Sequence, residues 1–226
     1  MGLTVSVGLG TVLREEGDDE FLERLERHLE VINELLESFG LPPHREPPDL
    51  DAGQTLSLAM YGYSGLHYLR RLAAHLALEE ELPPPGDEEA AQDPVLQEYY
   101  QFFDESFAEG KAAGIPFQHL IIHSDADGYY LPVEFDDVLV ADPSLEIPGD
   151  AVGSSHRLLA ECLELARRLE LPDDLDVESE AVSAALETQG EGESGWRRYA
   201  VESYTCLALI KACRASVATG AAVVFE

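Results

Sequence analysis

Leu22, Leu25, Leu29, Ile32, Leu36 and Phe39 fall three and four residues apart. That spacing predicts an amphipathic helix capped by Asp18 and ended by Gly40, with Pro42 just beyond. The same period recurs in Leu66, Leu69, Ala73 and Leu76 behind a Ser64 cap. It recurs again in Tyr99, Phe103 and Phe107 behind Asp93–Pro94, and in Leu158, Cys162, Leu165 and Leu169 behind Ser154 or Ser155. A short acidic helical piece is predicted over 175–188. The most apolar helix should open at Ser194, carry Trp196, Tyr199, Leu207, Ile210 and Val217 inward, and stop at Gly220.

A period of two appears elsewhere. Val5, Val7 and Leu9 alternate within 3–13, which predicts a first strand, and "AAVVFE" predicts a terminal one. Between them, "FQHLII" (117–122) and "YYLPVEF" (129–135) read as two strands joined by "SDADG", a hairpin turn in which Gly128 accepts positive φ. Pro132 cannot donate to a ladder, so the second strand should be an edge strand or bulged. The sum is an α+β fold: about six helices packed on a small, mainly antiparallel sheet, with a central β-hairpin and strands at both termini. At 226 residues the chain suits a single domain over 1–226, with 81–93 an exposed, acidic, proline-rich loop.

Charge changes the picture more than composition does. Forty-five acids stand against 14 bases, a net charge of −31. Phosphate and anionic membranes are repelled by such a field, so direct nucleic-acid binding and membrane association are not expected, whereas a basic protein partner is. Halophilic adaptation would produce the same composition and predicts unfolding as salt is withdrawn. Cys162, Cys206 and Cys213 are odd in number, lack a CxxC spacing and read as reduced core thiols. The N-terminus lacks a basic signal-peptide region and no window approaches a spanning helix, which together point to the cytoplasm.

Candidate chemistry lies in two places. His119 and His123, on one face of the predicted strand, stand near Asp125 and Asp127, a set able to hold zinc or iron with an open position. With Gly128 in sixth place, Asp125, Asp127 and Glu134 also fall at calcium-loop positions, but His123 stands first, where a hard cation wants a carboxylate. In "YGYSGLHYLRR", His67, Arg71 and His75 form one helical stripe with Arg70 beside it. This stripe serves either as an internal salt-bridge partner for the many glutamates or as a fork for a carboxylate or phosphate. "GYSGL" lacks the closing glycine of a nucleophile elbow, and Gly8–Leu9–Gly10 lacks the third glycine of a dinucleotide fingerprint and a helix directly after it.

"LPPHREP" (41–47), "YSGLHYLRR" (63–71) and "HSDADGYYLPVEF" (123–135) together resemble an uncharacterised family of bacterial cytosolic proteins. The resemblance carries no agreed activity. It implies a shared ligand-binding site made of His67, Arg70, Arg71 and Tyr129, with Asp125. The reading that follows is a binding or interaction protein without chemistry of its own, immunity-like if the acidic face covers the basic site of a toxin. No cofactor is expected on balance. The alternative is a small metal-dependent hydrolase with His119, His123, Asp125 and Asp127 as ligands and Arg70 or Arg71 orienting an anionic substrate.

Overall fold

A computed structural model of the chain describes residues 3–51, 53–85, 89–188 and 194–226. Six strands form one mixed sheet: β1 (Thr4–Val7), β2 (Leu56–Ala59), β3 (Gly128–Leu131), β4 (Leu139–Val140), β5 (Ala151–Ser154) and β6 (Val223–Phe225). Their order is β2-β1-β6-β3-β5-β4. Among the strands of the described residues, β3 and β5 alone run parallel. The two terminal strands lie side by side at its centre, Val5 opposite Phe225 and Val7 opposite Val223. The expected α+β class and the strands at both ends are therefore present.

Helices cover both faces. On one side α1 (Leu9–Glu16) and α2 (Asp19–Ser38) bury Leu25, Leu29, Ile32 and Leu36 against Tyr129, Leu131, Val152 and Val224. On the other side lie α3 (Gly62–Leu78), α4 (Pro94–Ala108), α5 (Gln118–Ile121), α6 (Ser155–Arg168), α7 (Glu180–Thr188) and α8 (Ala200–Thr219). Their core meets Val5, Val7, Tyr130, Val223 and Phe225. Adjacent strand residues thus divide between two cores, as the pleat requires. The α8 helix is buried on most of its circumference and packs mainly on α6 and α3.

The caps explain several boundaries. The Asp18 carboxylate accepts from Phe21 N–H at 3.2 Å, and Asp93 accepts from Val95 and Leu96 N–H at 2.9 and 3.2 Å ahead of Pro94. Gly220, at φ 80°, ends α8. Leu66, Leu69, Ala73 and Leu76 point inward as expected, and so do Leu158, Cys162, Leu165 and Leu169. All three cysteines are buried free thiols. The α3 helix begins at Gly62, placing Ser64 inside its first turn, and that side chain lies outside the described residues.

Other expectations are corrected. Among the described residues there are eight α-helices, two of them, α1 and α5, in stretches expected as strands. The alternation of 3–13 is cut at Gly8, whose left-handed φ of 75° turns the chain directly into α1, so a helix begins within Gly8–Leu9–Gly10, at Leu9. Residues 117–122 are not a strand. Phe117 adopts φ 62°, and α5 follows with the Glu161 carboxylate accepting from His119 and Leu120 N–H at 3.1 and 2.8 Å. The central hairpin therefore does not form, and β3 pairs instead with β5 and β6. Pro132 ends a central strand and does not mark an edge one. The apolar stripe of the last helix also starts later than expected: Gly195–Tyr199 is a 3-10 turn, and Val217 is exposed.

The connections are pinned. His44, buried, donates its N–H to Asn33 Oδ1 at 2.7 Å and touches Glu46 at 2.8 Å, while Glu46 accepts from Ala222 N–H at 2.9 Å. Within 81–93, Pro83 and Pro84 carbonyls accept from Tyr199 and Arg71 at 2.9 and 2.8 Å. Residues 86–88 of that loop lie outside the described residues.

Candidate partner-binding surface

The two polar motifs of the sequence meet. His67 on α3 places Nε2 2.9 Å from Asp125 Oδ2. Arg70, one turn on and 2% exposed, donates from Nε to Leu120 O at 2.8 Å and from Nη2 to His123 O and to Ser124 O, the last at 3.0 Å. The guanidinium fork is thereby spent on the carbonyls of the 120–124 turn. Burial, then the Arg70 charge, hold the His67 imidazole below its ordinary pKa against the opposing pull of Asp125. Arg71 donates to Asp93 Oδ2 at 2.6 Å, and His75 contacts both Asp93 and Glu79. Hydrogen bonds from Arg71 and His75 lower the Asp93 carboxyl despite its partial burial.

Tyr129 is not part of this group. It faces α2, where its hydroxyl lies 2.8 Å from His28 Nδ1, while Tyr130 takes the opposite face and donates to His119 O at 2.9 Å. The turn itself is organised by Ser124, whose Oγ accepts from Ala126 and Asp127 N–H at 3.2 and 3.4 Å and donates to Asp127 Oδ1. Gly128, at φ 129°, is obligatory there, since a Cβ would lie 2.6 Å from His123 Cε1.

The expected metal ligands do not converge. His119 accepts from Ser154 N–H at Nδ1 and donates from Nε2 to Asp136 O, each at 3.1 Å. His123 has its two ring nitrogens 3.1 Å from the Ser124 and Tyr129 carbonyls and stacks on Tyr130 at 4.0 Å. Burial lowers both imidazoles to about 4, so both are neutral packing residues. Asp125 is engaged by His67 and Asp127 by Ser124, and no group of three potential ligands converges among the described residues.

The most concentrated exposed feature is acid. On α2 the residues opposite the buried stripe are Glu23, Glu26, Glu30, Glu34 and Glu37, all exposed. At 1.5 Å per residue they run for about 21 Å, one carboxylate every ~5 Å along one helix face. Glu15, Glu16, Asp19 and Glu20 extend the exposed acid at the N-terminal end. Compensation is thin. Arg27 lies 4.0 Å from Glu23 and Arg14 3.4 Å from Glu26, both at the surface, while Arg24 folds over the Phe21 ring at 4.2 Å. A second exposed run, Asp173, Asp174, Asp176, Glu178 and Glu180, meets Lys211 at 2.5 Å from Glu178 and 3.6 Å from Asp176. The α2 row is legible in the sequence as the complement of the apolar stripe, but acid runs read one at a time look only like solvated faces.

A row of carboxylates on one helix is a negatively charged array carried by a protein. The chain belongs to the family described as "Putative DNA-mimic protein", whose profile matches residues 1–225. No curated protein and no solved structure matches it. Among the described residues no helix is long and apolar enough to cross a membrane.

Proposed function

We propose that this protein is a DNA mimic that occupies the DNA-binding surface of a basic protein, with the outward face of α2 as its principal contact. It acts by occupancy and not by catalysis. The observation that carries the reading is the exposed row Glu23–Glu26–Glu30–Glu34–Glu37, with Arg27 the one base on its face, in a chain of net charge −31 that belongs to the "Putative DNA-mimic protein" family. B-DNA carries one charge per about 3.4 Å of axis on each strand. The α2 row, at ~5 Å, is of comparable linear density and is held straight by a helix whose other face is locked on the sheet. The basic side chains that neutralise phosphates on DNA can therefore engage several carboxylates at once. Shielding the basic site of a toxin, as an immunity protein does, is one instance of the same physics.

The test is a titration against purified basic DNA-binding proteins of two docking types, a helix-turn-helix dimer and a minor-groove architectural protein. Affinity for at least one of them should fall steeply as salt rises from about 50 to 200 mM. A Glu23→Gln/Glu30→Gln/Glu34→Gln variant should bind more weakly at low salt and with a shallower salt dependence. A variant with wild-type affinity and slope would contradict the assignment to α2.

A further inference from the structure

Two phenylalanines that helical periodicity assigns to the core lie at the surface. Phe39, at the C-terminal cap of α2, is 55% exposed although Leu36 one turn back is fully buried, and Phe107, near the end of α4, is 51% exposed. Both line one groove of about 340 Å³, together with Leu41 and the buried Phe103, Phe135 and Leu139. The groove sits where the sheet ends, since β4 pairs only with β5. Exposed aromatic surface gathered in a concavity, and not scattered singly, marks a contact region.

The rim states what can enter. Asp136 and Asp137 line the groove. Glu37, Asp104 and Glu109, all exposed, flank its lining residues along the chain, and Lys111 is held by Glu109 at 2.7 Å. Arg157 is paired with Asp136, and the rim stays net negative, so a second copy of this chain would bring two acidic rims together. A segment with an apolar side chain surrounded by Lys and Arg meets a surplus of the opposite sign. Glu37 closes the α2 row two residues before Phe39, so the row and the groove meet at the C-terminal end of α2, on different faces of the helix.

Resting on the DNA-mimic reading, we propose that this acid-rimmed phenylalanine groove receives an apolar anchor side chain of the basic partner whose cationic surface lies along α2. Duplex DNA offers no equivalent pocket at this place. The groove thus adds a component of binding that salt does not screen, on top of the electrostatic one that DNA shares. A mimic built this way holds its partner at salt concentrations where charge alone releases it.

Two synthetic amphipathic helical peptides with the same Lys and Arg positions test this, one with Leu and Trp on its apolar face and one with Ser there. Their dissociation constants are measured by fluorescence anisotropy over a salt series against the wild-type protein and a Phe39→Ser/Phe107→Ser variant. Both side chains are half exposed, so the variant keeps its core, which a melting curve verifies. The wild type should prefer the apolar peptide by about tenfold at every salt concentration, equivalent to about 1.4 kcal/mol. The variant should lose that preference and keep its salt slope. Equal binding of both peptides by the wild type, or a preference retained in the variant, overturns the groove and leaves the DNA-mimic reading standing. So does a wild-type dimer in gel filtration that the variant lacks, which would give the groove to a second copy. Absence of salt-dependent binding to either peptide contradicts the DNA-mimic reading itself, and the groove proposal falls with it.

Discussion

Replacing Arg70 separates a structural pin from a ligand fork. Its guanidinium, 2% exposed, donates to the carbonyls of Leu120, His123 and Ser124. Arg70→Met fills similar space and strands these three acceptors. Each stranded buried group costs about 1–3 kcal/mol, partly offset because a buried guanidinium no longer has to be desolvated. The net loss should be about 3–5 kcal/mol, a large part of the 5–15 kcal/mol that holds a typical domain together. In urea, with a slope of about 2 kcal/mol/M, the unfolding midpoint should fall by roughly 2 M with the slope unchanged. Arg71→Met, which loses its pair with Asp93 and a surface bond to Pro84 O, both reached by solvent, should shift it less. A midpoint within about 0.5 M of wild type for Arg70→Met would refute the assignment and return Arg70 to the role of a spare anion receptor.

Two further outcomes follow from the same region. His119 and His123 have folded-state pKa values of about 4, below the unfolded 6.5, so the unfolded chain binds more protons between those limits. Stability tied to these rings is therefore complete above pH 6.5 and lost as pH falls toward 4, with a ceiling of about 3 kcal/mol per ring. By NMR, their Cε1–H resonances should stay at neutral positions through pH 6, and a titration midpoint near 6.5 for either would contradict the burial. Gly128→Ala should lower stability by about 2–4 kcal/mol, because φ is unfavourable and the new methyl meets the His123 ring. Gly53→Ala, whose Cβ meets nothing within 4 Å, serves as the control, and equal melting temperatures for the two variants would count against the stated geometry.

Legibility in the sequence followed the strength of the local signal. Long helices with three or four apolar positions per two turns, such as α2, α3, α4 and α6, were readable because solvent-facing and core-facing sides differ sharply. "FQHLII" was not, since six residues suit a buried strand and a short helix equally. The choice falls to Glu161, 41 residues away from Leu120, whose carboxylate caps the α5 N–H groups. Enclosure of that carboxylate raises it to about 8, against the pull of the same N–H groups, although the residue as a whole is only half-buried. Sheet order was equally hidden, because the pairing of β1 with β6 depends on contacts between the two ends of the chain.

The candidate site divides in the same way. The meeting of His67 with Asp125 was readable as a conditional, and the structure supplies the distance. The fate of the Arg70 fork was not, because backbone carbonyls carry no sequence signature. Tyr129 and Tyr130 are indistinguishable by type, yet the pleat sends one to His28 and the other to His119. Phe39 and Phe107 kept the core period up to the ends of their helices, where each is half exposed.

The most direct test of the account is whether this protein and duplex DNA exclude one another on the same basic protein. A fluorescent duplex is bound to a DNA-binding protein that the acidic chain also binds, and the chain is titrated in at several duplex concentrations. Competition for one surface should release all of the duplex, with an apparent dissociation constant for the chain that rises linearly with duplex concentration. A stable ternary complex, with duplex and acidic chain held together, would contradict DNA mimicry.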